Sequence, residues 1–418
     1  MVELSTILLI SITIISFSYL MCRNTIGIFY VQWVIYIVWF FSFPSYLEYI
    51  NNIYPWPFFP KSQEIVSVNL ITALFCMTLF VGYIFGYKRL ITAKQIAIKN
   101  VRIDLKTNIV SLLLLMPAII FIGITGIGSF FMGRSFVGEI MDTNSFLPMV
   151  YALSKFTAFG VFVVYFCFWI NRDKNRKFGT IALVVFFIVI SINFIINNPL
   201  SSPRFHFLSM AIVIATIIGK MISRKSYLAL FVLSPTLLYV LFPLTKHLGE
   251  DSGKYRTYEL AQYIVQGVDF DSFQQLVNIL RYVNDVGYSW GMNFLGGVSF
   301  FVPRSLWTDK PTNLGVLSAE HMGYVYTNLS APLVGEFYYT ADLVGVIIGG
   351  FVTGLLAGKA DSFLRAGNIS YYYFVGMWLA AFSFIIFRGS FGAVAPMIIL
   401  GMMSSLIVYS VSRIRIKI

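Results

Sequence analysis

The sequence predicts an all-α polytopic membrane protein, and three observations carry that prediction. Hydrophobic residues make up 58% of the 418 positions and aromatic ones 17%, with a mean hydropathy of +0.79. A soluble fold has too little interior to hide that much apolar surface. The apolar residues also come in long runs: 110–121, 181–196 and 393–411 each lie in a stretch of about 20 residues, the length that crosses a hydrocarbon core. Finally, Lys and Arg fall between the runs with a one-sided bias, as expected of loops that resist translocation.

Taken in order, the runs predict roughly eleven spans, near 4–21, 26–49, 65–86, 107–127, 147–170, 178–197, 204–222, 226–245, 331–357, 370–388 and 391–411. The first has no basic leader and no small-residue cleavage site, so it is read as a mature helix and not as a secretory signal. No lipidation motif is evident. With the tail RIRIKI placed in the cytoplasm and the sides alternated backwards, the cytoplasmic segments hold nineteen basic residues against three acids, a net +16. The outer segments hold eleven basic and fifteen acidic residues, a net −4. An odd number of spans with the N-terminus outside and the C-terminus inside fits this split. The basic balance therefore reflects orientation and attraction to anionic lipid at the inner leaflet; no nucleic-acid partner is expected.

Cofactor chemistry finds little support. Cys22, Cys76 and Cys167 are far apart in sequence and give neither a disulfide framework nor a metal cluster. His206, His247 and His321 are too dispersed for a zinc motif, and no P-loop or dinucleotide fingerprint occurs. No metal and no cofactor is expected.

The chain is read as one integral membrane domain, 1–418, with one long outer loop over 246–330. A loop of that length in a compact bundle is usually functional. Within it, DSFQQLVNILRYVND places Phe273, Leu276, Val277, Leu280 and Val283 on one helical face, with Gln274, Asn278, Arg281 and Asp285 on the other. Such a helix is expected on the membrane surface or capping the bundle. The apolar piece 294–301 is too short to span and leads into FVPRSLWTDKP, residues 301–311, where charge, aromatic and proline concentrate.

Five arginines share the outer side under this topology: Arg134, Arg204, Arg281, Arg304 and Arg388. An arginine at membrane depth needs a partner or a wet cavity, and its planar fork suits phosphate. Two readings stand side by side: arginines converging on a lipid-linked pyrophosphate, or arginines snorkelling and pairing with acids such as Glu139, Asp142 or Asp285. Glu336, in APLVGEFYYTADLVG, has three roles open: pairing with an arginine, binding sugar hydroxyls, or taking a proton from an attacking hydroxyl. His321 is a candidate base or a hydrogen-bonded loop residue. Tyr288, Trp290 and Trp307 belong either to an interfacial belt or to a set that stacks on sugar.

FVPRSLWTDKP after a long outer loop, then APLVGEFYYTADLVGVIIGG opening the next helix, with arginines at outer helix ends, resembles the Wzy-type O-antigen polymerases, which join oligosaccharide repeat units. The motif match covers about 281–358, and the family's Asn-Phe-Gly ending is replaced here by FYYTADLVG. The resemblance implies a GT-C-like membrane glycosyltransferase at the outer face of the bacterial inner membrane. Donor and acceptor would both be oligosaccharides on undecaprenyl pyrophosphate, and a chain-length regulator is an expected partner. It further implies that Arg304, Arg204, Arg388 and Arg281, with Lys310 assisting, neutralise the departing pyrophosphate. Glu336 or His321 would orient or deprotonate the acceptor, while Trp307, Tyr288, Trp290 and Asp309 would touch sugar. An O-antigen ligase shares this donor, and a lipid-linked oligosaccharide flippase shares the need for cations; both are alternatives.

Overall fold

The computed structural model describes residues 1–87, 103–132, 134–142, 147–171, 179–219, 223–241 and 260–413. The basic runs 88–102 and 172–177, the loop segment 246–259 with His247, and the side chains of Arg134 and Asp142 lie outside the described residues. Every described element is helical. Among the described residues seven helices are long and apolar enough to cross a membrane: α1 (Val2–Arg23), α2 (Ile28–Asn51), α3 (Ser62–Gly86), α4 (Leu105–Thr125), α5 (Leu147–Ile170), the long helix Leu333–Ala366 and the last helix Phe391–Arg413.

Seven helices of that kind, where eleven were expected, overturn the eleven-span, GT-C-like bundle. Among the described residues the four remaining runs form no helix that qualifies as a span. Thr180–Ile196 and Arg204–Ile217 (α6 and α7) have 17 and 14 residues. Arg224–Thr236 (α8) carries Pro235 and continues as a wide turn over Leu237–Leu241, since proline removes a backbone donor and opens the helix. The 370–388 run breaks at Phe382 into Tyr371–Ala381 and Ser383–Arg388. Hydropathy counts apolar residues but does not register where a helix is interrupted.

Downstream of α8 the chain folds into Ser272–Val286 (α9), Met292–Val298 (α10) and Leu314–His321 (α11), followed by Leu333–Ala366 (α12), Tyr371–Ala381 (α13) and Phe391–Arg413 (α14). Helices α3 and α12 form the tightest seam. Gly350, Gly354 and Gly358 lie at every fourth position on α12, and a methyl group at Gly354 or Gly358 would collide with the carbonyl of Leu79 or Tyr83. Gly82 and Gly86 return the arrangement against the Phe351 and Leu355 carbonyls. Without a hydrophobic drive between helices in lipid, such close backbone approach is what holds them. Asp361 has a structural role: its carboxylate accepts from the Phe29 and Tyr30 amides at 3.1 and 3.4 Å and from the Tyr83 hydroxyl at 2.9 Å, capping the start of α2.

Helix α12 is not one rod. Ala341 and Asp342 leave helical geometry, Asp342 with φ +55°. Phe337 consequently packs against both Gly345 and Gly349. On a straight helix, twelve residues would set 337 and 349 about 18 Å apart, so the short limb 333–340 folds against the long limb. The carbonyls freed at the break are taken up by the loop after α9: the Ser289 and Trp290 amides donate to Tyr339 and Thr340 at 2.8 and 3.1 Å.

Helix α9 caps the bundle, but its polar face does not meet solvent as the amphipathic pattern suggested. Gln274, Gln275 and Asn278 are fully buried. The Gln274 amide donates to Trp56 and Pro57 carbonyls at 2.7 and 3.2 Å, and Asn278 donates to the Tyr324 hydroxyl at 3.1 Å. The polar stripe is glue between α9 and the 56–58 and 324 segments.

Candidate functional site

The short limb of α12 starts after Pro332, whose missing amide costs nothing at a helix start. That start places Glu336 in the first turn, where a negative charge suits the helix dipole. The Glu336 side chain is 1% exposed. One oxygen accepts from Asn293 Nδ2 at 2.7 Å and the other from the Phe391 amide at 2.8 Å. Asn293, on α10, is itself fixed: Ser289 and Thr340 hydroxyls lie 2.7 and 3.2 Å from its Oδ1. Two N–H donors aimed at a buried carboxylate keep it oriented.

Glu336 lines a cavity of about 310 Å³ together with Asn293, Arg304, Thr312, Asn313 and the Gly296–Gly297 backbone. Gly296 sits against the Pro311 ring and Gly297 against Phe391, so the two glycines let those rings close on the α10 backbone beside the cavity. The FVPRSLWTDKP segment forms its rim. Turn bonds from Leu306 and Trp307 to the Pro303 carbonyl and from Lys310 to the Trp307 carbonyl coil the segment. Arg304 is exposed and donates to the Lys310 carbonyl at 2.9 Å and to Thr312 Oγ1 at 3.3 Å. It makes no ion pair with a carboxylate among the described residues.

Lys310 lines the same cavity but is committed elsewhere. Its ammonium donates to the carbonyls of Ser299, Phe300 and Val302 at 3.0, 3.1 and 2.9 Å. All three N–H bonds serve the carbonyls at and beyond the end of α10, where helices leave acceptors unsatisfied. Burial, and then the nearby Arg304 charge, lower its pKa from the usual lysine value. Trp307 is half-buried and Asp309 exposed, and neither lines the cavity.

The other three arginines sit elsewhere. Arg281 strap-ties α9 to the start of α3: Nε and Nη2 meet Glu64 at 2.7 and 2.8 Å, and further bonds reach the Phe58 and Phe59 carbonyls. Arg204 and Arg388 converge on the segment 268–271. Arg204 Nη2 lies 3.1 Å from both oxygens of Asp269. Arg388 donates to the Asp269 and Val268 carbonyls at 3.3 and 3.4 Å and pairs with Asp271 at 3.6 Å. Its guanidinium stacks 5.0 Å from the Phe205 ring and 5.8 Å from Phe40, within cation–π range. Asp271 is 1% exposed, held also by the Ser330 hydroxyl and by Trp56 Nε1 at 3.1 Å. Burial raises its pKa above the usual carboxylate range, against the opposing effect of Arg388.

His321 pairs with Asp285 at 3.0 Å and packs edge-on to Tyr282, away from the Glu336 cavity. Tyr288 and Trp290 form a T-shaped pair at the α12 break, with the Tyr288 hydroxyl donating to Asp342 at 3.1 Å. Trp290 is 77% exposed with φ +53°, a conformation that costs a bulky residue roughly 1–2 kcal/mol. Of the predicted residues, then, the cavity gathers Glu336, Arg304 and Lys310. Asn293 was missed, because an asparagine in GMNFLGG looks like an apolar-helix neighbour. Asp269 and Asp271 were missed as arginine partners, since the contacts to Arg204 and Arg388 span 65 to 119 positions.

Among the described residues no group of three or more His, Cys, Asp and Glu gathers in metal-binding geometry. Comparison with family models, with curated proteins and with solved structures finds no match.

Proposed function

We propose that this multi-spanning membrane protein is a glycosyltransferase that joins oligosaccharide repeat units carried on a lipid pyrophosphate, at the outer face of a bacterial inner membrane. The observation that supports this reading is the cavity itself: a buried, oriented carboxylate and an arginine with no acidic partner among the described residues line one open space. The resemblance of FVPRSLWTDKP and APLVGEFYYTADLVG to repeat-unit polymerases supplies the substrate class.

In the reaction an acceptor sugar hydroxyl attacks the anomeric carbon of the donor. The new C–O bond forms as the glycosyl–phosphate C–O bond breaks and the electron pair leaves with the lipid pyrophosphate. Glu336 receives the hydroxyl proton or orients that hydroxyl by accepting its hydrogen bond. Arg304 offsets charge growing on the departing phosphate, a contribution that is large where water is scarce. Lys310 holds the rim and leaves the phosphate to Arg304.

The test is an Arg304→Ala chain returned to a strain lacking the gene, with surface glycan resolved on a gel. A polymerase predicts loss of the long-chain ladder while the single-unit capped lipid persists. A ladder of normal length sinks the leaving-group role. Loss of the single unit as well transfers the assignment to a ligase or flippase.

A further inference from the structure

A crevice of about 380 Å³ lies where α3 ends and α13 begins, at the far end of α12 from Glu336. Lys359, on its wall, stands about 24 Å along the long limb from Leu343. Small residues set the crevice beside two close contacts. Gly376 brings α13 against the Ala360 backbone, and Gly86 brings the end of α3 against the Leu355 carbonyl. Leu356, Val375 and Leu379 line the space with hydrocarbon. Leu356 is 49% exposed and Tyr372 63%, so the crevice opens on the outer surface of the bundle, the surface that a bilayer covers on a spanning helix. Ordered water needs two to four polar partners, which these apolar walls do not supply. The polar lining is confined to Lys359, Ser362 and Tyr372. The Ser362 hydroxyl donates to the Gly358 carbonyl at 2.8 Å, and the Tyr372 ring stacks 4.8 Å from Phe363. Lys359 makes no hydrogen bond or ion pair among the described residues. A cation at the edge of the hydrocarbon must reach water or an anion.

We infer that this crevice is a discrete site for an anionic phospholipid. An acyl chain lies against Leu356, Val375 and Leu379, and the headgroup phosphate takes the Lys359 ammonium, with the Tyr372 hydroxyl as a second donor. Charge complementarity selects an anionic headgroup, since the segments on this side of the predicted topology carry a net +16. The bound lipid bridges α12 and α13. Because it binds only the folded bundle, it stabilises that bundle by mass action. A lysine that only snorkels among bulk headgroups needs no crevice and shows no saturable site. The inference is independent of the glycosyl-transfer reading: it concerns the opposite end of α12 and a lipid that no reaction consumes.

The purified full chain in neutral maltoside micelles is titrated with phosphatidylglycerol, and bound lipid is counted by native mass spectrometry. One phosphatidylglycerol is expected to bind ahead of the rest, with phosphatidylcholine weaker by about fivefold, the worth of one cation near a lipid surface. Lys359→Gln removes that preference, and Lys359→Arg keeps it. Leu356→Trp fills the crevice and weakens the first site for both lipids by roughly tenfold, about two CH₂ groups of chain burial. Lys225→Gln, at an exposed lysine in the first turn of α8, changes neither affinity. Thermal unfolding gives a second readout: phosphatidylglycerol raises the Tm of wild type and of Lys225→Gln but not of Lys359→Gln. Equal affinity for the two lipids in wild type overturns the inference. A loss in Lys225→Gln that matches Lys359→Gln does so too, because it marks diffuse attraction to charge. Tighter retention of farnesyl pyrophosphate at the same site overturns the assignment to a phospholipid. Should Leu356→Trp not fold, the two Lys359 variants decide alone, and an unchanged preference in Lys359→Gln overturns the inference.

Discussion

The Glu336 cavity and the Asp269–Asp271 segment lie at opposite ends of residues 388–391, yet they use arginine in opposite ways. Among the described residues Arg304 is exposed and bonded to a carbonyl and a hydroxyl, while Arg204 and Arg388 are each paired with an aspartate at side-chain exposures near one fifth. The carboxylates are reversed too. Glu336 is held by neutral N–H donors and faces open space, whereas Asp269 and Asp271 are held by charge. A carboxylate fixed by neutral donors stays available to a substrate, and one fixed by a guanidinium is already neutralised. The contrast separates a region suited to chemistry from one that holds the chain.

The largest expected effect breaks the comparison along that line. Arg304→Ala abolishes the glycan ladder and leaves thermal stability within about 0.5 kcal/mol, as exposed substitutions do. Arg204→Ala removes the guanidinium from the Asp269 carboxylate and lowers stability by about 1–3 kcal/mol, read as a fall in Tm of the purified protein. Equal Tm losses in the two variants dissolve the distinction between the regions.

Next in size is Asn293→Ala. It takes one of two donors from a buried carboxylate, a loss of about 1–2 kcal/mol. Ladder formation is expected to fall roughly tenfold as Glu336 turns from the cavity, since 1.4 kcal/mol is a factor of ten. Asn293→Gln, whose amide reaches too far, is expected to behave like alanine. Full activity in Asn293→Ala means that the Phe391 amide alone positions the carboxylate.

How much of this was legible in the sequence depends on the range of the interaction. The spans α1 to α5 and α14 were legible because hydropathy is local, and the start of α12 was legible from its proline and the apolar run after it. The breaks at Phe382 and Asp342 were not, because each is stabilised by distant partners: the carbonyls freed at 339 and 340 are met by amides 50 residues earlier. The rim segment and Glu336 stood out as charge in an apolar chain. That test is blind to Asn293, which is uncharged, and to the burial of Gln274 and Asn278, whose helical spacing reads as a solvent face. Lys310 shows the same limit from the other side: its charge marked it as a ligand, while its three carbonyl partners make it a helix-end cap.

The smallest effect tests whether charge or burial governs the Arg388–Asp271 pair. Burial outweighs Arg388 at Asp271, so its folded pKa lies above the unfolded value. A carboxyl raised in that direction contributes stability that is fully present below its unfolded pKa and is lost as pH rises through the folded one. Asp271→Asn does not titrate. Its oxygen still accepts from Trp56, and its amide can donate to Ser330. The Tm deficit of Asp271→Asn relative to wild type is therefore expected to be larger at pH 4.5 than at pH 7.5, by thermal unfolding of both proteins across that range. A deficit that grows toward pH 7.5 means that the 3.6 Å pair with Arg388 dominates. In that case salt weakens both aspartate–arginine pairs of the segment; where burial dominates, salt acts on the Arg204–Asp269 pair and leaves Asp271 in place.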